Sequence, residues 1–110
     1  MAKYRFRYFF DLGSGICLWS DNDAARDKWD YAVDLRNLPL PENTWRRARH
    51  IIAWYDTSID WHYPADPSPW SKEEQVHFNL AAHDLLTLLR NQLGDDFEIT
   101  DESSSTSSVV

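Results

Sequence analysis

Apolar and polar positions alternate cleanly over residues 3–10, K-Y-R-F-R-Y-F-F. Tyr4, Phe6, Tyr8 and Phe10 fall on one side, and Lys3, Arg5, Arg7 and Phe9 on the other. Period two with aromatic content predicts a half-buried strand. D-L-G-S-G at 11–15 predicts a hairpin turn, and I-C-L-W at 16–19 the returning strand. D-N-D-A-A-R-D-K-W at 21–29 opens on residues suited to an N-cap and continues with helix formers, so a short helix follows. Tyr31, Val33 and Leu35 then alternate with Ala32 and Asp34, giving a brief strand or an extended link, and L-P-L-P at 38–41 ends regular structure.

The period changes to three and four over residues 41–56. Trp45, Ala48, Ile52 and Tyr55 recur as the apolar stripe of a second helix, with Ile59 one step beyond, and Arg46, Arg47, Arg49 and His50 mark the polar side. Pro41 suits a first helical position and Glu42 the positive end of the helix dipole. Ser71 and Glu74, in S-K-E-E, form a capping-box pair that opens a third helix. Its stripe is Phe78, Ala82, Leu85, Leu89 and Leu93, widened by Val76, Leu86 and Leu88. Gly94 ends it in a left-handed conformation. F-E-I-T at 97–100 alternates again as a last short strand. The order predicts an α+β fold: a small antiparallel sheet, made of the N-terminal hairpin and the C-terminal strand, packed against two amphipathic helices. Residues 1–102 form one domain, followed by a disordered Ser-rich tail at 103–110.

Composition adds a compartment and a sign. The chain has 110 residues and one cysteine, Cys17. No internal disulfide is possible, which suits a reducing compartment. The N-terminus lacks a signal-peptide pattern, and no apolar run approaches the ~20 residues that span a bilayer. The expectation is a soluble, cytoplasmic protein that does not engage membranes. The net charge is −7. Residues 55–74 carry five acids against one base, and residues 84–102 six against one. Such a chain is a poor general binder of nucleic acid and would attract a basic protein.

Candidate chemistry concentrates at 54–70, W-Y-D-T-S-I-D-W-H-Y-P-A-D-P-S-P-W, with three tryptophans, three aspartates and three prolines. Proline breaks helix and strand here, and the aromatic content argues against a loose linker. The reading is an ordered loop with rings partly buried and carboxylates facing water, where recognition tends to sit. Trp19, Trp29 and Trp45 fall inside predicted elements and are read as core. Trp54, Trp61 and Trp70 either staple the loop down or, with His62 and Tyr63, present a patch to a partner. Asp56, Asp60 and His62 suggest a second possibility, a small metal-dependent or acid–base enzyme. A third is an adaptor that binds nucleic acid through Arg46, Arg47 and Arg49, extended by Arg5 and Arg7. His77 and His83 stand six apart, on different faces of one helix, and G-S-G at 13–15 lacks the Lys-Ser/Thr of a phosphate loop. Cys17 is read as a buried small hydrophobe rather than a nucleophile.

In its size, acidity, lone cysteine and aromatic–acidic loop 54–70, the chain resembles the small α+β immunity proteins that neutralise bacterial polymorphic and contact-dependent inhibition toxins. The resemblance implies stoichiometric binding to one cognate toxin domain, often a basic nuclease, with no catalysis and no cofactor. The resemblance carries over no residue; the chain's own aromatic and acidic positions give the expected partner-binding residues as Asp56, Asp60, Trp61, His62, Tyr63, Asp66 and Trp70 of the loop, and Asp95, Asp96 and Glu98 near the C-terminus. The acids would pair with basic groups, and Trp61, Tyr63 and Trp70 would supply anchors.

Overall fold

In the computed structural model, which describes residues 2–103, strand β1 (Tyr4–Tyr8) realises the alternation of its sequence. Tyr4, Phe6 and Tyr8 are buried and Arg5 is exposed. β2 (Leu18–Ser20) pairs antiparallel with β1, setting Arg7 opposite Trp19, and β3 (Ala32–Val33) pairs antiparallel with β2. β4 (Phe97–Asp101) lies on the other side of β1, giving the order β3-β2-β1-β4. The tail expected to begin at residue 103 lies, from residue 104 on, outside the described residues.

Two details differ from the expected sheet. The turn is longer than the glycines suggest: Gly13 and Gly15 both take positive φ (78° and 71°), and the returning strand starts at Leu18 rather than at residue 16. β4 joins the hairpin as expected, but runs parallel to β1, pairing Tyr4 with Phe97 and Tyr8 with Asp101. The last helix dictates that sense. It descends along β1, with Phe78 against Phe10 and the Ala82 carbonyl accepting from the Tyr8 hydroxyl. At Gly94 (φ 81°) the chain reverses beside Tyr4, whose N–H donates to the Asp96 carbonyl. A strand leaving that turn along β1 can only climb parallel to it.

Helix α1 (Asp23–Trp29) is capped by Asn22, whose side chain accepts from the Ala25 N–H at 3.0 Å. Helix α2 spans Glu42–Asp56 and α3 spans Lys72–Leu93. Ser71 caps α3 by accepting from the Glu74 N–H, as its sequence predicts. The Glu74 carboxylate accepts instead from the Trp54 indole at 2.9 Å, tying the end of α2 to the start of α3. Among the described residues all three expected helices cover the same sheet face, where two were expected to do so. Ala25 of α1, Ala48, Ile51 and Ile52 of α2, and Phe78, Ala82, Leu85, Leu86, Leu89 and Leu93 of α3 share one core with Phe6, Tyr8, Leu18, Val33 and Ile99. Inside it the Tyr8 hydroxyl donates to the Ala82 carbonyl at 2.7 Å, and burial pushes its pKa well up. Burial also pushes the Cys17 thiol up to about 12, so it is an inert core group.

Among the described residues no helix lies over the opposite sheet face. Arg5 pairs with Glu98 at 2.9 Å, and Arg7 makes two bonds to Glu102 at 2.9 and 2.8 Å. Phe9 stacks on Trp19 with 4.9 Å between centroids, and Tyr31 lies tilted against that indole at 5.2 Å. Trp19 is therefore buried as expected, but by its sheet neighbours rather than by helices. Trp29 and Trp45 are only partly buried against the core. At the sheet's margin, the Arg90 guanidinium of α3 donates to the Ile99 carbonyl of β4 at 2.6 Å.

The Arg7–Glu102 pair carries a pH signature. The guanidinium holds the Glu102 carboxyl below its usual range. A carboxyl depressed by folding adds stability above its unfolded pKa of ~4.3, and that contribution disappears as pH falls through the folded value. Both side chains are a little over a third exposed (35% and 37%), so solvent screens the pair and the effect is modest. Melting temperatures followed from about pH 6 to about pH 3 should fall more steeply for the wild type than for Glu102→Gln. Superimposable curves would show that the pair contributes nothing.

Candidate functional site

Three prolines, Pro64, Pro67 and Pro69, keep the segment between α2 and α3 from continuing either helix. It is fixed at both ends. The Thr57 hydroxyl donates to the Trp54 carbonyl and accepts from the Trp70 indole at 2.7 Å, so the first and last residues of the loop meet. Trp70 packs at 5.0 Å from Phe78 and 6.0 Å from Trp54. In the middle, the Trp61 indole donates to the Asp56 carbonyl at 2.8 Å, and its ring lies over Gly13. The Asp56 carboxylate accepts from the Gly13 N–H at 3.0 Å, binding the loop to the β1–β2 turn. The Asp60 carboxylate accepts from the backbone N–H of His62 and of Tyr63, a local turn that sets the tip.

The tip faces water. Trp61 is 58% and Tyr63 68% exposed, and His62 and Asp66 are exposed beside them. Trp70 and Trp54 are half-buried staples. Trp54 and Trp70 thus take the stapling role, whereas Trp61, though bonded to the Asp56 carbonyl, leaves most of its ring in water.

The other site residues lie elsewhere. Because β4 is parallel to β1, Asp95, Asp96 and Glu98 sit at the Tyr4 end of the sheet, whereas the loop packs on the turn that follows the Tyr8 end. The two acidic groups are separated by the full length of β1, five residues at about 3.3 Å each. Glu98 is already paired with Arg5.

Asp56, Asp60 and His62 do not converge. Both carboxylates hold backbone N–H groups, and Asp60 meets His62 through its main chain rather than its ring. Among the described residues no three His, Cys, Asp or Glu side chains are arranged to hold a metal ion. The basic area imagined to run from α2 onto β1 is divided. Arg5 and Arg7 lie on the helix-free face and are paired with glutamates. Arg46 and Arg49 cover the Trp45 ring on α2, which packs on the other face.

Between the loop and α3 the fold leaves a cleft of about 390 Å³. Its floor is Phe10, Tyr55, Trp70 and Phe78, with Asn79 and His83 of α3 on one side and Asp101 of β4 on another. Phe10 lies 5.4 Å from Tyr55 and 5.2 Å from Phe78, so the floor is one aromatic cluster. Burial, together with the charges of Asp11 and Asp56, pushes the Tyr55 phenol up. The sequence marked Phe10, Tyr55 and Phe78 as core through their periodicity. It gave no sign of the cleft, because the segments that line it are far apart in the chain and meet only in the folded molecule.

Among the described residues no helix is long and apolar enough to cross a membrane. A family model described as Serratia CdiI immunity protein-like matches residues 7–103, a span that takes in all three helices, the loop and β4. Among curated proteins none matches the chain.

Proposed function

We propose, from the premise that this chain belongs to the Serratia CdiI immunity protein-like family, that it acts in the cytoplasm by binding one cognate toxin domain stoichiometrically and blocking it. It carries out no reaction of its own. The observation that carries this reading is the pairing of exposure with rigidity at the tip of the loop. Trp61 and Tyr63 stand in water, yet their backbone is fixed by Asp60 and the Trp61 indole is fixed by the Asp56 carbonyl. Large rings held ready in this way lose little freedom on binding and serve as anchors. Asp60, Trp61, His62, Tyr63 and Asp66 form the centre of this proposed surface, with Asp56 and Trp70 holding it in shape. Asp95, Asp96 and Glu98, at the far end, act through the overall negative field that speeds encounter with a basic partner such as a nuclease.

The test is to sequence the gene's neighbourhood for a large reading frame that ends in a variable toxic domain, co-express that domain with this chain, and purify. Growth should be restored and a complex of one copy of each chain should elute. Free toxin and free chain eluting separately, with no rescue of growth, would overturn the proposal.

A further inference from the structure

The exposed tip does not account for the cleft beside it. The cleft's aromatic floor is reached from solvent, and its surroundings are one-sided in charge. Asp101 closes one wall, and Asp11, Asp56, Asp60 and Asp66 belong to the turn and loop that border it. Among the described residues no lysine or arginine lines the cleft; Lys72 is near it in sequence, and Arg7, at the same end of β1, is held by Glu102. Aromatic faces attract cations, and an acid at the wall adds direct charge attraction. A volume in the roughly 300–1,000 Å³ range of small-ligand pockets admits a long side chain without rearrangement. On α3, Val76, Leu80 and His83 share one face by their spacings of four and three. Val76 and Leu80 are 55% and 59% exposed, so an apolar shelf continues past the rim at His83.

Resting on the proposed toxin-binding role, we infer that this cleft receives one lysine or arginine side chain from a basic segment of the toxin. The ammonium or guanidinium lies against Tyr55, Trp70 and Phe78 and toward Asp101, while flanking toxin residues cover Val76 and Leu80. The cleft is thus a second anchor, beside the loop tip, and it selects for positive charge.

Asn79 is exposed on the cleft wall and is the position from which to test this. Asn79→Arg places a guanidinium of the protein's own in the cleft, and Asn79→Glu places a side chain of similar reach and opposite charge. Affinity of the purified toxin domain, measured by calorimetry, should fall about 30-fold or more for Asn79→Arg. It should hold or rise for Asn79→Glu, with both variants melting like the wild type. Equal losses in the two variants would mean that the cleft is merely filled, which overturns the charge selection. Wild-type affinity in Asn79→Arg would remove the cleft from the interface while leaving the toxin-binding role intact. No binding by the wild type itself would overturn both.

A measurement on the unmodified protein guards against a variant that fails to fold. The indole N–H of Trp70, held by Thr57, and that of Trp29, held by the Asn37 carbonyl at the other end of the sheet, are two separate nuclear magnetic resonance reporters. Toxin binding should displace the Trp70 signal and leave that of Trp29 in place. The reverse pattern would overturn the inference.

Discussion

Phe6→Ala should cost the fold about 3–5 kcal/mol, the range for truncating a buried phenylalanine. Phe6 is fully buried at the middle of β1, and its ring lies 5.6 Å from Trp29 and 5.8 Å from Phe97. It joins the strand to α1 on one side and to β4 on the other, so alanine leaves a gap that no single element can close. A domain of this size has about 5–15 kcal/mol in total, so the loss is a large share. Chemical denaturation should report it as a lower midpoint with an unchanged slope. A loss below about 1 kcal/mol would mean that Trp29 and Phe97 collapse into the space, and that the packing at this junction is far looser than described.

The second large effect concerns binding. Trp61→Ala and Tyr63→Ala should each weaken the toxin complex by about 2 kcal/mol or more, roughly 30-fold, as for other aromatic anchors at interface centres. Their cost to folding should be small, because both rings are more than half exposed. Tyr63→Ala is the cleaner variant, since Trp61 also braces the loop through its bond to the Asp56 carbonyl. Calorimetric titration of the toxin domain, with thermal melts as the control, measures both quantities. Unchanged affinity in both variants would place the interface elsewhere on the molecule. Asp60→Ala is less informative, because it also frees the N–H groups of His62 and Tyr63 and loosens the tip.

What could be read from the residues alone depended on whether a feature is local. Alternation along residues 4–8 set the buried face of β1, and the Leu85–Leu89–Leu93 stripe set that of α3. Ser71 and Gly94 marked the ends of α3 because capping uses only a few neighbouring residues. The sense of β4 was not legible, since it follows from how α3 lies along β1, a relation among three segments far apart in the chain. Helix α1 was legible as a short helix, but its place on the inner face was not, for a similar reason. α1 is short, and its core contribution comes chiefly from Ala25 and the edge of Trp29. In the loop, prolines and aromatics signalled order. Which rings are staples and which are free was decided by distant partners: Thr57 for Trp70, Glu74 for Trp54 and the turn at Gly13 for Trp61.

The guanidinium of Arg90 on the Ile99 carbonyl has a bearing on how this protein tolerates its own company. A bare outer strand invites another chain to add to it, and copies stored at high concentration risk zipping together into fibrils. Here one outer strand has a main-chain oxygen already occupied, and the other is only two residues long. Growth of the sheet from copy to copy is discouraged at both borders. On the proposed role, such borders would let copies accumulate before their partner is met.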